Sequence, residues 1–133
     1  MWKKINVDDY VVSFDQAVKL YELGMDEPTM CAYHHRGRAL YLCDLSPDGT
    51  FYRPDEDIPA PLKAQVRKWF RENFNLHSVI ENDSDNYYYV IQGINNFNFG
   101  TIDSSEEGEV YKTYEEAEDK CINKLIELAK QQK

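Results

Sequence analysis

Residues 61–92 decide the fold, and they run PLKAQVRKWFRENFNLHSVIENDSDNYYYVIQ. The first half places apolar side chains at helical spacing, namely Leu62, Val66, Trp69, Phe70 and Phe74. Pro61 suits the first turn of such a helix, because its missing N–H would have no hydrogen-bond partner there. The pattern predicts a helix that ends near residues 73–75.

The second half of this stretch changes to a strand pattern. It predicts two strands, His77 to Asn82 and Tyr87 to Gln92, around a polar turn at 83–86 whose Asp and Asn side chains can bond nearby backbone. The second strand is apolar on both faces, which favours a central position in a sheet covered by helices. A helix followed by a hairpin is the unit that this stretch predicts.

The preceding residues predict the same order of elements. Ser13 and Gln16 form a capping box, so a helix is expected to begin near Phe14 and to end at Gly24. Its apolar side is expected to carry Phe14, Ala17, Val18 and Tyr21.

A hairpin should follow, with strands at 30–33 and 39–45 around His35-Arg36-Gly37-Arg38. Gly37 can take the positive φ that such a turn needs. A two-residue turn would place Cys31 opposite Leu42, and a three-residue turn would place it opposite Cys43.

A third helix should close the chain, because Thr113 and Glu116 form a second capping box. Residues 46–61 are rich in proline and acidic side chains, which indicates a surface connection. Residues 93–110 could contain a short extra strand or an aromatic loop. The order α-β-β-α-β-β-α predicts an α+β fold, an antiparallel sheet built from two β-hairpins with three helices, in a single domain over 1–133.

Composition limits the class of protein further. The chain has 133 residues and a formal net charge of −9. Its hydrophobic content of 42% excludes a disordered acidic chain, which would have too little apolar surface to fold. The acids Asp8 and Asp9 come before any apolar run long enough for a signal peptide, so we expect no secretion signal. The longest apolar run, 87–91, is too short to span a membrane. The three cysteines have no disulfide-framework spacing, so we expect reduced thiols and a cytoplasmic location.

Several short motifs resemble those of a known group of proteins. They are VSFDQA at 12–17, LGMDEP at 23–28, APL at 60–62, KWFRE at 68–72 and TYEEA at 113–117. With these motifs the chain resembles a family of short uncharacterised α+β proteins found in Bacteroidetes genomes, phages and mobile elements. The motifs are helix starts, a helix stop and a core Trp, so the resemblance implies a shared fold and brings no activity, cofactor or site residue.

Possible metal ligands concentrate in the first hairpin, where Cys31, His34, His35 and Cys43 could supply a tetrahedral Zn²⁺ site. In a regular strand Cys31 and His34 project to opposite faces, so a shared metal would require a bulge. The alternative is two small buried thiols and two histidines at the end of the hairpin. The spacing argues against a metal, and neither a nucleophile elbow nor a phosphate loop is present, so we expect no metal, cofactor or catalytic group.

The predicted second helix carries a basic stripe, Lys63, Arg67 and Arg71, at four-residue spacing. This stripe could contact an anion or an acidic partner, or it could be a solvated helix side paired with acids such as Glu56 or Asp57. The overall negative charge opposes phosphate binding, so duplex nucleic acid is an unfavourable partner.

Aromatic side chains offer the best candidates for a binding surface. Tyrosine is favoured at interfaces because it is apolar in body and polar at its tip, and Tyr88 lies in the aromatic strand. The alternative, which we favour for residues 87–89, is that these strand tyrosines pack under the helices with their hydroxyls at the rim. Phe97 and Phe99 lie in an Asn-rich segment, where we expect them to be exposed.

The leading hypothesis is therefore a non-catalytic interaction or accessory module that binds a protein partner or forms a homodimer. One alternative is an acidic mobile-element protein that mimics nucleic-acid phosphate. The other is a small hydrolase or Zn-binding protein centred on the first hairpin.

Overall fold

A computed structural model describes residues 6–34, 37–42, 57–93 and 100–132 and confirms the α+β class. The helices are α1 (Phe14–Glu22), α2 (Lys63–Phe74) and α3 (Tyr114–Gln132). The strands are β1 (Cys31–Tyr33), β2 (Leu40–Leu42), β3 (Ile58–Ala60), β4 (Leu76–Asn82), β5 (Tyr87–Gly93) and β6 (Thr101–Asp103). Within the described residues, no helix has the length and apolar character needed to cross a membrane.

The strands form two three-stranded antiparallel sheets, β2-β1-β3 and β4-β5-β6, so each predicted hairpin gains a third strand. Contacts between residues divide the chain into two compact units, Met1–Lys63 and Ala64–Lys133. The first sheet lies in the first unit and the second sheet in the second.

Helix α1 begins as the capping box predicts. The Ser13 hydroxyl accepts from the Gln16 N–H at 3.2 Å, and the Gln16 side-chain oxygen accepts from the Ser13 N–H at 3.0 Å. The predicted apolar side is wrong at one position, because Tyr21 is exposed and Leu20 is buried in its place. The tyrosine hydroxyl can remain hydrated, whereas leucine gains only from burial.

The first hairpin has the register of the two-residue turn, with Cys31 opposite Leu42 and Gly37 at a φ of +76°. On its other side β1 pairs with β3, although residues 46–61 had been predicted to be a surface connection throughout. Pro59 is compatible with this strand because β3 lies at the edge of the sheet, where a proline removes no interior hydrogen bond.

The second sheet follows the predicted hairpin closely. The Asp83 carboxylate accepts from the backbone N–H groups of Asp85 and Asn86, at 3.1 and 3.0 Å, which closes the predicted turn. Strand β5 is central, as expected, and α3 packs across β5 and β4. Residues 93–110, for which the sequence predicts either a short strand or a loop, contain β6. Strand β6 pairs with β5 from Val90 to Gln92.

Helix α2 ends at Phe74 with Asn75 at a φ of +54°, within the predicted range. Its side chains Val66, Trp69 and Phe70 are buried. On the third helix, Ala117, Cys121, Leu125 and Leu128 are buried, whereas Tyr114 at the start of the helix is exposed.

One buried hydrogen bond connects β1 to the start of α1. The Tyr33 hydroxyl donates to the carbonyl of Val12 at 2.7 Å, and both residues are buried. We expect Tyr33→Phe to lower the free energy of unfolding by about 1–2 kcal/mol, because the buried carbonyl loses its partner. Urea denaturation measures this loss. The control Tyr10→Phe, at a side chain that is 58% exposed, should change stability by less than about 0.5 kcal/mol, and equal losses would contradict the assignment.

Candidate functional site

The outer face of the second sheet is the face that α3 does not cover. Strand side chains alternate between faces, and on the inner face Leu76, Tyr89 and Ile91 are buried. The outer face is defined here as His77, Val79, Glu81, Tyr88, Val90, Gln92, Thr101 and Asp103. None of these eight residues is buried, and Val79 is 48% exposed.

The register places an apolar pair at the centre of this face. Val79 lies opposite Val90, His77 opposite Gln92, and Glu81 opposite Tyr88. Cross-strand neighbours on one face are close enough to form a continuous surface. The outer face therefore has an apolar centre with polar side chains on both sides, an arrangement found in protein interfaces.

This placement corrects the expectation that β5 is covered on both faces. Its apolar residues on the outer face, Tyr88 and Val90, are only half-buried. The predicted binding residue Tyr88 thus lies on the outer face, while Phe97 and Phe99 lie outside the described residues. Sequence reasoning missed Val79, which stands between polar outer-face residues in β4; the period-two alternation of that strand was the available signal.

On the inner face, burial keeps the ionisable side chains neutral. Burial, with smaller contributions from Tyr111 and Glu109, raises the pKa of Tyr89 well above its ordinary range. Burial and the nearby Glu109 carboxylate raise the pKa of Tyr111 to about 12. The pKa of the Cys121 thiol rises to about 12, again mainly through burial. None of these three groups can act as a base or nucleophile near neutral pH.

The predicted basic stripe is not a set of three exposed cations. Lys63 is buried, and Arg67 Nε lies 3.3 Å from Glu118 Oε2 in a largely buried ion pair, with 20% and 8% of the two side chains exposed. Arg71 is the member of the stripe that is exposed. Arg67 pairs with a carboxylate of α3. Of the two acids suggested as partners of the stripe, Asp57 accepts from Tyr41, and Glu56 lies outside the described residues.

The predicted zinc ligands divide between the faces of the first sheet. Cys31 and His34 lie an odd number of residues apart in a continuous register, so their side chains point to opposite faces. His35 and Cys43 lie outside the described residues. Elsewhere in the described ranges, no group of three His, Cys, Asp or Glu side chains could hold a metal ion. Burial also raises the pKa of Cys31, which disfavours a thiolate.

The structure brings together three side chains that sequence reasoning did not connect. The His34 ring stacks on Tyr41 at 4.3 Å between centroids, and its Nδ1 lies 3.6 Å from the Asp57 carboxylate. The Tyr41 hydroxyl donates to the same carboxylate. The adjacency of His34 and Asp57 depends on the β1–β3 pairing, so no local sequence signal could have revealed it.

A carboxylate beside an imidazole is half of a catalytic triad, which also needs a nucleophile. The nearby hydroxyl, that of Tyr41, is already bonded to Asp57. The nearby thiol, that of Cys31, belongs to the opposite face of β1. Among the described residues this cluster therefore orders the hairpin end and assembles no reaction centre.

Acidic side chains occur in both units, as at Asp15 and Glu22 in α1 and at Asp83 and Glu127 in the second unit. One local concentration surrounds Tyr111, whose pKa is raised by Glu109 and Glu116. The phosphate-mimicry hypothesis requires the acids to share one face, and it stays a prediction.

Comparison with known proteins found no matching family, no matching curated protein and no matching solved structure.

The ion pair between Arg67 and Glu118 provides a test of the α2–α3 contact. We expect Arg67→Met and Glu118→Gln each to lower the free energy of unfolding by about 2–3 kcal/mol, because each leaves an unpaired charge or a lost contact in a largely buried site. The loss of stability in the double variant should be smaller than the sum of the two single losses by at least about 1 kcal/mol. The matched control is the exposed pair Lys68 and Glu72 on the same helix, whose coupling should stay below about 0.5 kcal/mol. Equal coupling energies in the two pairs would contradict the description of Arg67 and Glu118 as a largely buried ion pair.

Cys121 should make stability sensitive to alkaline pH. Its pKa rises from the ordinary value of 9.0 to about 12 on folding, so the unfolded chain loses this proton first and stability falls as pH rises from 9 to 12. Cys121→Ala should cost about 1 kcal/mol at pH 7, through the cavity it leaves. Above pH 9 the wild type should lose stability relative to Cys121→Ala by about 1.4 kcal/mol per pH unit, so that the variant becomes the more stable protein at about pH 10. Chemical denaturation between pH 7 and 10.5 measures it, and a constant difference would contradict the shift.

Proposed function

We propose that this chain is a small interaction module without catalytic activity, and that it binds a protein partner through the outer face of the second sheet. The observation that carries the proposal is the asymmetry of this sheet. Its inner face is buried under α3, while the outer face of the same regular hairpin leaves Val79 about half exposed beside Val90 and Tyr88.

The second sheet supplies the rigidity that a preformed binding surface needs. The pairing of β4 with β5 is unbroken over seven residues, and the Asp83 turn closes it. A surface that is already ordered loses little conformational entropy on binding. Aromatic and apolar side chains at its centre would supply most of the binding free energy, with Tyr88 as the aromatic anchor.

The chemistry of the described residues supports recognition over catalysis. The thiols of Cys31 and Cys121 are buried with raised pKa values, and the His34–Asp57 pair has no nucleophile beside it in the described ranges. Both cysteines are free thiols, which fits a reducing compartment and supports a cytoplasmic partner. The resemblance to mobile-element proteins is compatible with an accessory role of this kind.

Photo-crosslinking from the outer face tests the proposal. A photoreactive amino acid replaces Tyr88 in cells that naturally contain the chain, and the control replaces Tyr10, an exposed tyrosine in the first unit. We expect an adduct of discrete mass from position 88 and none from position 10. Val79→Arg should reduce the yield at position 88 at least tenfold, because it places a charge in the apolar centre of the face.

The matched control for that substitution is Val7→Arg, at a valine that is 46% exposed in the first unit, and it should leave the yield unchanged. Circular dichroism on each variant establishes that it is folded. Equal adduct yields from positions 88 and 10 would overturn the proposal.

A further inference from the structure

The edges of the two sheets are not equally protected against pairing with another chain. The edge strands β3 and β6 are each three residues long, and β3 contains Pro59. The described part of β2 is also three residues long. The edge strand β4 is seven residues long, pairs without a bulge and contains no proline or lysine. Short length, proline, lysine and bulges are among the means by which proteins block edge-to-edge pairing. Strand β4 has none of these four, and its one acidic side chain is Glu81.

The hydrogen bonds around β5 show which backbone groups of β4 point outwards. The N–H groups of Tyr87, Tyr89 and Gly93 bond to Tyr111, Ser104 and Gly100, on the side of β5 away from β4. The residues between them in β5 therefore bond to β4, through the residues opposite: His77, Val79 and Glu81.

The alternate residues of β4, Ser78, Ile80 and Asn82, then direct their N–H and C=O groups away from the sheet. In the part of the chain that the structure describes, no hydrogen bond reaches these backbone groups. The outer edge of β4 thus presents regularly spaced donors and acceptors to a further strand.

We infer that the partner is a second copy of this chain, whose β4 pairs antiparallel with β4 of the first across a two-fold axis at Val79. The inference goes beyond the proposed function, because this pairing uses the edge of β4 and leaves the outer face of β5 open to another partner. With the axis at this residue, Ser78 of each copy lies opposite Ile80 of the other, so the outward-directed backbone groups face each other in the correct alternation. The second sheet of one copy and the second sheet of the other then form one six-stranded sheet.

The outer-face side chains of β4 favour this occupant because their order is self-complementary. An antiparallel partner reverses the sequence His77, Val79, Glu81, so each imidazole lies opposite a carboxylate and the two valines meet at the axis. The imidazole N–H can donate to the carboxylate, and protonation adds charge attraction. A closed two-fold pair also uses the exposed β4 edge of each copy. No β4 edge is then left to pair with a third chain.

The expected affinity is modest. A single pair of seven-residue strands lies at the small end of the range of stable interfaces. Dissociation constants in the micromolar range fit an interface of this size, so the measurement must extend to about 1 mM chain.

Sedimentation equilibrium at pH 7 on the whole chain, with charge-exchange variants, tests the inference. We expect a monomer–dimer equilibrium that His77→Glu weakens about tenfold or more, since two pairs of carboxylates then face each other. Glu81→His should also weaken it. The double variant, His77→Glu with Glu81→His, exchanges the two side chains and should return the affinity to within about threefold of wild type.

Mixing the two single variants provides a second readout of the same register. Each single variant lacks complementary contacts with itself, but the mixture restores both imidazole–carboxylate pairs, so a heterodimer should form. Val79→Arg should abolish dimerisation to 1 mM, and the matched control Val7→Arg should not.

The outcomes separate this inference from the proposed function. A monomer to 1 mM, or a dimer insensitive to the Val79 and charge-exchange variants, overturns the inference. If position 88 then crosslinks to a different protein, the proposed function stands without it. If position 88 yields no adduct and the chain is monomeric, both are overturned. A dimer that both the Val79 and the charge-exchange variants weaken supports the inference, whichever protein position 88 captures.

Discussion

Burial of the inner face of the second sheet under α3 is the interaction on which the rest of the second unit depends. Leu76, Ile91 and Leu125 are fully buried there, and each apolar side chain of this size contributes about 1.5–3 kcal/mol when it leaves water. Strand side chains alternate strictly, so burying this set commits the intervening residues to the opposite face. The covered core and the open outer face are two consequences of the same geometry.

The same burial keeps several titratable groups of the second unit protonated or paired. Tyr89 and Cys121 are kept protonated, and Arg67 is held beside Glu118 instead of projecting into solvent. In the first unit Asp57 is likewise occupied by Tyr41 and His34. These buried or paired groups are therefore the part of the structure that supports the proposal of recognition over catalysis.

The proposed recognition involves both the face and the edge of the second sheet. Strand β3 is compatible with an exposed edge because Pro59 lacks an N–H and the strand is short, whereas β4 is long and regular. The outer-face order of His77, Val79 and Glu81 gives that edge a preferred partner orientation. Face and edge belong to one strand, so a partner that pairs with the backbone of β4 also meets its outer-face side chains.

Local rules predicted much of this fold, because a capping box such as Ser13 with Gln16, an Asx turn such as that of Asp83 and the helical period of α2 all operate within a few residues. The same rules raised Tyr88 as a candidate. They missed strand β3 and the meeting of His34 with Asp57, since pairing between distant segments leaves no trace in local composition. Helix starts, turns and strand periods were therefore encoded in neighbouring residues. Which face α3 covers, which edge stays open and which charges become paired were decided only by long-range contacts, where burial is shared among segments far apart in the chain.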